Sequence, residues 1–288
     1  MCRLFGLLGA APRPAETWLV SSDRSLLRQA NVTETTRQGD GWGVAWYDER
    51  RRPHLTKGTG CAADPVEREA FSRAAQAAGS PLVLGHLRRA SNPLGLPHEK
   101  LIDLSNSQPF AYGSTIFAHN GSIPLPVETR ALTGRYHTAI EGVNDSEVLF
   151  YLLLRHLDSE PDPARAYART VADLSTVWEA HGRPTPFPYS GLNVLLARGP
   201  HELWAFCLAL GDHGTSLLDS SCPYYEMTFA ADSDHLLVAS ERLDSRRTDW
   251  RPLPNGSYLV GQDDRGNVKW RTGTIPALAP SAPIARAA

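Results

Sequence analysis

A cysteine follows directly on the initiator methionine in MCRLFGLLGA. Methionine is removed efficiently only ahead of a small side chain, and cysteine qualifies. Removal places the Cys2 thiol and a free α-amine on one residue. A free thiol has a pKa of about 8.5 and an α-amine about 8. The amine can therefore take the thiol proton, directly or through water, and activate a nucleophile. Taken alone, Cys2 reads better as a small buried residue of an edge strand, because buried, unreactive cysteines are common.

Three other stretches carry polar groups that could serve such a thiol. In FAHNGS, His119, Asn120 and Gly121 follow a run that should end a strand, where a rigid scaffold presents functional groups. Asn120 offers an amide donor and Gly121 an unobstructed backbone N–H. Two such donors can hold the oxygen of a tetrahedral intermediate, although a plain Asn-Gly turn is the simpler reading of the dipeptide. In GHLRRASN, Arg88 and Arg89 leave another strand, with Ser91 close behind. Arginine grips a carboxylate in a bidentate fork that lysine cannot copy. Strand alternation lets at most one of the two arginines face inward. In NDSE, Asp145 precedes an apolar helix, with Glu147 near the capping-box position. Capping is its default role; binding a substrate ammonium is the alternative, with local N–H groups keeping it ionised. Thiolate, oxyanion donors, arginine and aspartate together describe a site for an α-amino acid with a side-chain amide. Glutamine or a γ-glutamyl amide fits.

These groups need strands and helices to present them. The run Leu4 to Ala11 reads as a buried first strand rather than a signal peptide, with Pro12 close behind. A hairpin is expected from Trp42 to about Lys57. SPLVLGHLRRAS and STIFAHNGS each show a short β-rich run entering a polar loop. Between the hairpin and the first of these, DPVEREAFSRAAQAAG reads as a helix, with Asp64 as cap and Gly79 as stop. NDSEVLFYLLLRHLD and DPARAYARTVADLSTVWEAHG give two stronger helices, the second ending at Gly182. GLNVLLARGPHELWAFCLA predicts a hairpin around Gly199-Pro200. YYEMTFAADSDHLLVAS and NGSYLVGQDDRGNVKWRTG look alike. Strands, then helices, then strands imply an α+β fold with a layered core.

The 288 residues suffice for a sizeable core, and 42% hydrophobic with 21% charged residues is ordinary globular composition. A net charge of −2 argues against nucleic acid as a partner. Cys2, Cys61, Cys207 and Cys222 are scattered singly, which suggests neither a zinc cage nor a disulfide framework and points to a reducing cytoplasm. No apolar run approaches the roughly 18 residues that span a bilayer, so no membrane partner is expected.

In order, MCRLFG, DGWG (Asp40 to Gly43), GHLRRAS, NSQPF (Asn106 to Phe110), AHNGS and NDSE resemble the class II glutamine amidotransferases of the N-terminal-nucleophile hydrolase superfamily. About the first half matches well; the second matches mainly by strand pattern and by VASERL leading to Trp250 and Leu253. The resemblance implies a four-layer αββα fold, two antiparallel sheets between helical layers. It implies one domain over 1–275 with its mature start at Cys2; the Ala/Pro-rich tail over 276–288 is expected to fray. It makes Cys2 the nucleophile, Asn120 and Gly121 the oxyanion hole, and Arg88 with Ser91 the carboxylate clamp. Asp145 falls where the family binds the α-amine, and His119 joins the substrate-binding set by shaping the oxyanion loop. DGWG looks like the stand-alone bacterial branch; a similar small protein hydrolyses a γ-glutamyl intermediate in ergothioneine synthesis. Asn92-Pro93 stands where many relatives have a glycine nearby, and Gln108 where histidine is common. Both departures bear on the pocket rim and the leaving group.

The leading expectation is thus an amidohydrolase that releases glutamate, using no metal or cofactor. A glutamine-specific variant would feed ammonia to a separate synthase; the other variant cleaves a larger γ-glutamyl metabolite. The alternative is a non-catalytic module that binds glutamine, a γ-glutamyl compound or a partner. A metal hydrolase is disfavoured, because the ten histidines include no H-x-x-x-H or H-E-x-x-H spacing.

Overall fold

The computed structural model describes residues 2–277. Two antiparallel sheets lie face to face. The first contains β1 (Arg3–Pro14), β2 (Trp42–Tyr47), β3 (Pro53–Gly58), β4 (Gly79–Leu87), β9 (Met227–Ala231), β10 (His235–Ala239) and β11 (Arg251–Leu253), in the order β11-β9-β10-β1-β4-β2-β3. The second contains β5 (Phe110–Tyr112), β6 (Thr115–Gly121), β7 (Leu192–Arg198), β8 (Glu202–Cys207), β12 (Ser257–Asp263) and β13 (Val268–Thr274), in the order β13-β12-β8-β7-β6-β5. Helix α1 (Pro65–Ala77) covers the outer face of the first sheet; α2 (Asp145–Leu157) and α3 (Pro163–Ala180) cover that of the second.

Side-chain alternation builds this four-layer stack. In β1, Leu4 and Leu8 face the second sheet and join Leu84, Ile116, Ala118 and Leu195 in a core between the sheets. Phe5 and Leu7 face the other way, onto Phe71 and Ala75 of α1. In β6, Ile116 and Ala118 enter the inter-sheet core while Phe117 packs with Phe150 of α2. The sheets approach closely because Gly6 has no side chain: a Cβ there would lie 3.3 Å from Leu195 and Leu203 across the gap.

Four local expectations change. β1 is an interior strand, paired with β10 on one side and β4 on the other, so Cys2 does not precede an edge strand. Asn120-Gly121 forms no turn; both residues continue the β6 ladder against β7. Asp64 occupies the cap position of α1, but its side chain makes no capping bond and pairs with Arg37 at 2.6 Å instead. Asn144, not Asp145, caps α2, accepting from the Ser146 N–H at 2.9 Å. The expected frayed tail falls, over 278–288, outside the described residues. No helix among the described residues is long and apolar enough to cross a membrane.

Candidate active site

The two sheets converge on Cys2. The β1–β4 register pairs Arg3 with Leu87, so one step further brings Cys2 opposite Arg88. Cys2 is 7% exposed, and its thiol reaches the Arg89 carbonyl at 3.5 Å. Burial pushes the thiol pKa up, and the Asp145 carboxylate adds to that. The Arg89 backbone and the Arg88 guanidinium pull it down.

Arg88 is buried and Arg89 exposed, as alternation requires. The Arg88 guanidinium donates to the carbonyls of Asp40 (3.1 Å) and Leu101 (2.8 Å). Its backbone pairs with DGWG: Arg88 N–H donates to Gly41 O and Asp40 N–H to Arg88 O. The Asp40 carboxylate accepts from Ala90 N–H at 2.7 Å and so holds the loop after β4. Gly41, at φ +134°, permits the pairing, since a Cβ would lie 2.8 Å from Ser107 Oγ and 2.9 Å from Gly58 O. Sequence reading did not assign Asp40 to the site; DGWG was its only signal.

Ser91 stands with Asp145 rather than with Arg88. Its hydroxyl donates to one Asp145 oxygen at 3.0 Å, and Ile123 N–H donates to the other at 2.7 Å. Asp145 is free to accept both because Asn144 caps the helix. Glu147 reaches back over the same turn to the N–H groups of Glu141 (3.0 Å) and Gly142 (2.8 Å).

On β6, His119 and Asn120 point to opposite faces. The His119 ring turns toward α2, with Nδ1 2.9 Å from Ser146 Oγ and Nε2 3.1 Å from Gly191 O. Burial holds its pKa below the usual histidine range, against the opposing pull of Asp145. Both ring nitrogens are thus engaged within the protein, and His119 supports the strand from behind. Asn120 continues the inward series of Ile116 and Ala118 into the gap that Cys2 enters with Leu4. It is fully buried, and neither its Nδ2 nor its Oδ1 has a hydrogen-bond partner. At Gly121 a Cβ would sit 1.7 Å from Gly191 O, so no other residue fits without moving β7.

The two departures differ in kind. Asn92 bonds Leu96 through both its amide groups, at 2.8 Å each, and closes the exposed loop at the rim. Gln108 is not at the rim. It is buried and clamps the His119 main chain, accepting from its N–H at 2.6 Å and donating to its carbonyl at 3.1 Å. Glutamine here therefore bears on the support of β6 rather than on the leaving group.

Residues 1–282 match the family model of class II glutamine amidotransferases. The chain belongs to the class II glutamine amidotransferases. Among curated relatives, it is 28% identical over 304 residues to the "probable glutamine amidotransferase DUG3" of Saccharomyces cerevisiae, covering 90% of this chain and 81% of that one. Among solved structures, a glutamine aminotransferase class-II domain protein of Silicibacter pomeroyi superposes with a TM-score of 0.64 at 24% identity, over 96% of this chain and all of that one. The glutamine phosphoribosylpyrophosphate amidotransferase of B. subtilis, complexed with ADP and GMP, gives 0.59 at 16% identity, over 94% of this chain but 49% of its own. At these identities, the two structures speak for the fold: the four layers are those of the class II amidotransferases.

Proposed function

We propose that this protein hydrolyses the side-chain amide of glutamine or of a γ-glutamyl compound through a Cys2 thioester. One observation carries the reading. Asn120 holds a fully buried, unpartnered amide in the gap that Cys2 enters, and a buried polar group left unpaired in the resting protein needs an explanation. An oxyanion donor is unpaired until the intermediate forms.

In this mechanism the mature chain begins at Cys2, and its α-amine takes the thiol proton. The thiolate attacks the γ-carbonyl, and the oxygen becomes an oxyanion between Asn120 Nδ2–H and Gly121 N–H. Collapse breaks the C–N bond, and the α-ammonium returns a proton to the departing amine or ammonia. Water then attacks the thioester, and glutamate leaves. Arg88 receives the α-carboxylate, and Asp145, oriented by Ser91, receives the α-ammonium. A glutamine-specific enzyme would pass ammonia to a separate synthase. We place the protein in the cytoplasm as one domain over 2–275, acting on a small molecule without cofactor, nucleic acid or membrane. The test is a screen of γ-glutamyl amides, glutamine included, following free glutamate. Release from at least one, lost in Cys2→Ala, supports the reading; release from none sinks it.

A further inference from the structure

His86 is part of no mechanism described so far. It lies in β4, opposite Leu4 of β1 on one side and Gly43 of β2 on the other. Leu4 belongs to the inter-sheet core, so the His86 ring enters the same gap. Leu82 and Leu84 precede it on that face, and Arg88 follows two residues on. His86 is fully buried, and neither ring nitrogen has a hydrogen bond of good geometry. The His119 main chain, across the gap on β6, lies close enough to act on the ring. The next side chain of β6 on the gap face is Asn120, whose two amide atoms are also unpartnered.

One His86 ring nitrogen, the one not turned to the His119 carbonyl, and both Asn120 amide atoms thus face one gap from two strands without a partner. Each would cost about 1–3 kcal/mol if left so. A bound substrate can satisfy Asn120 Nδ2, but not its oxygen, which must point the other way, nor a ring lying deeper in β4.

We propose that His86 is a positioning residue for Asn120: one buried water, donating to a His86 ring nitrogen and to Asn120 Oδ1, turns the amide so that Nδ2 faces Cys2. The chemistry is directional. A neutral imidazole has one N–H and one bare nitrogen. The N–H is directed at the His119 carbonyl, and the bare nitrogen accepts from the water. The water's second hydrogen goes to the amide oxygen. Burial, with the charge of Arg88 adding to it, keeps the ring neutral, its pKa pushed down to about 3. Without this anchor, the amide could equally turn its oxygen toward the developing oxyanion, where it would repel. The inference rests on the assignment of Asn120 as oxyanion donor.

A double-mutant cycle tests it on any γ-glutamyl amide that the wild type turns over. His86→Leu should lower kcat about tenfold, less than loss of the donor itself, with KM changed by no more than about twofold. His86→Gln, which keeps an acceptor, should recover most of the loss. In the Asn120→Ala background, His86→Leu should cost nothing further. Equal losses in both backgrounds, or an unchanged kcat, would overturn the proposal. If His86→Leu does not fold, a high-resolution crystal structure of the wild type decides. A water bridging the two side chains supports it; a dry gap or direct contact refutes it. A wild type that releases no glutamate sinks the hydrolase reading, and the crystallographic arm still answers for the water.

Discussion

Ser91 and Asp145, one after β4 and the other opening α2, are joined by a 3.0 Å hydrogen bond from hydroxyl to carboxylate. The bond ties the first sheet to the helical layer of the second at the edge of the site. It also fixes one carboxylate oxygen, as Ile123 N–H fixes the other at 2.7 Å.

Asp145→Asn should therefore act through the substrate's α-amine. Stranding a largely desolvated ammonium costs about 2–5 kcal/mol in kcat/KM. A des-amino γ-glutamyl analogue should show much less difference between wild type and variant. Equal losses for both substrates would reduce Asp145 to a structural link between layers. Ser91→Ala should cost about 1 kcal/mol, chiefly in KM, since Asp145 keeps its second donor.

Intact-mass measurement of active protein should show a chain starting at Cys2. Cys2→Ala should abolish turnover with an unchanged melting temperature. An active preparation that retains Met1 quantitatively would end the N-terminal mechanism.

Asn120→Ala should lower kcat by roughly 10²–10³ with little change in KM. Gly121→Ala should behave differently. Its Cβ collides with the Gly191 carbonyl, so thermal stability should fall together with activity. A Gly121→Ala protein that melts like wild type would contradict the packing described for β6 and β7.

Glu241 is a buried anchor for Arg3, the residue after Cys2. Its carboxylate pairs with Arg3 at 3.2 Å, both side chains nearly inaccessible, and accepts from the N–H groups of Leu217 and Leu218. Arg3 in turn lies over the Tyr224 ring, 4.0 Å from its centroid. Glu241→Ala leaves the Arg3 charge buried and should cost about 3–5 kcal/mol by chemical denaturation. A loss below 1 kcal/mol (order of magnitude) would show that water readily replaces the carboxylate.

Acid should destabilise the fold through its buried histidines. The His86 pKa falls from 6.5 in a free side chain to about 3, and that of His119 is also lowered by burial. Between those two values the unfolded chain binds a proton that the native His86 does not. Stability is then complete above about pH 6.5 and declines as pH drops toward 3, by at most about 1.4 kcal/mol per unit from this residue. Denaturation midpoints measured across that range should slope less in His86→Gln. An identical slope in the variant would assign the acid sensitivity elsewhere.

Much of the candidate site is legible in the sequence because its residues lie at strand ends, where alternation and turn signals are strong. Alternation showed that only one of Arg88 and Arg89 could face inward, with the choice of Arg88 left to the family resemblance, and turn signals gave the hairpins of β2–β3, β7–β8 and β12–β13. Other features depend on contacts between distant segments, which local patterns do not carry. The interior place of β1 comes from pairing with β10, more than two hundred residues later. Ser91 was grouped with Arg88, its neighbour in sequence, and only the packing of α2 against the β4 loop moved it to Asp145. In NDSE, two adjacent residues could each cap a helix, and a one-residue choice decided whether Asp145 was free for the site. His86 sits in a run of core residues, where a polar side chain reads as incidental until its unpaired nitrogens are located.

The interior position of β1 also sets when the site can exist. Its pairing of Phe5 with Ala239 closes a loop of most of the chain. During synthesis, the first strand leaves the ribosome long before β10, and contacts of such separation form late and slowly. Until then the first sheet is open on the β10 side of β1, although β4 can already bring Arg88 opposite Cys2. Cys2 is made well before β10, so a nascent chain that stops short of Ala239 carries the cysteine on a sheet that is still open on one side.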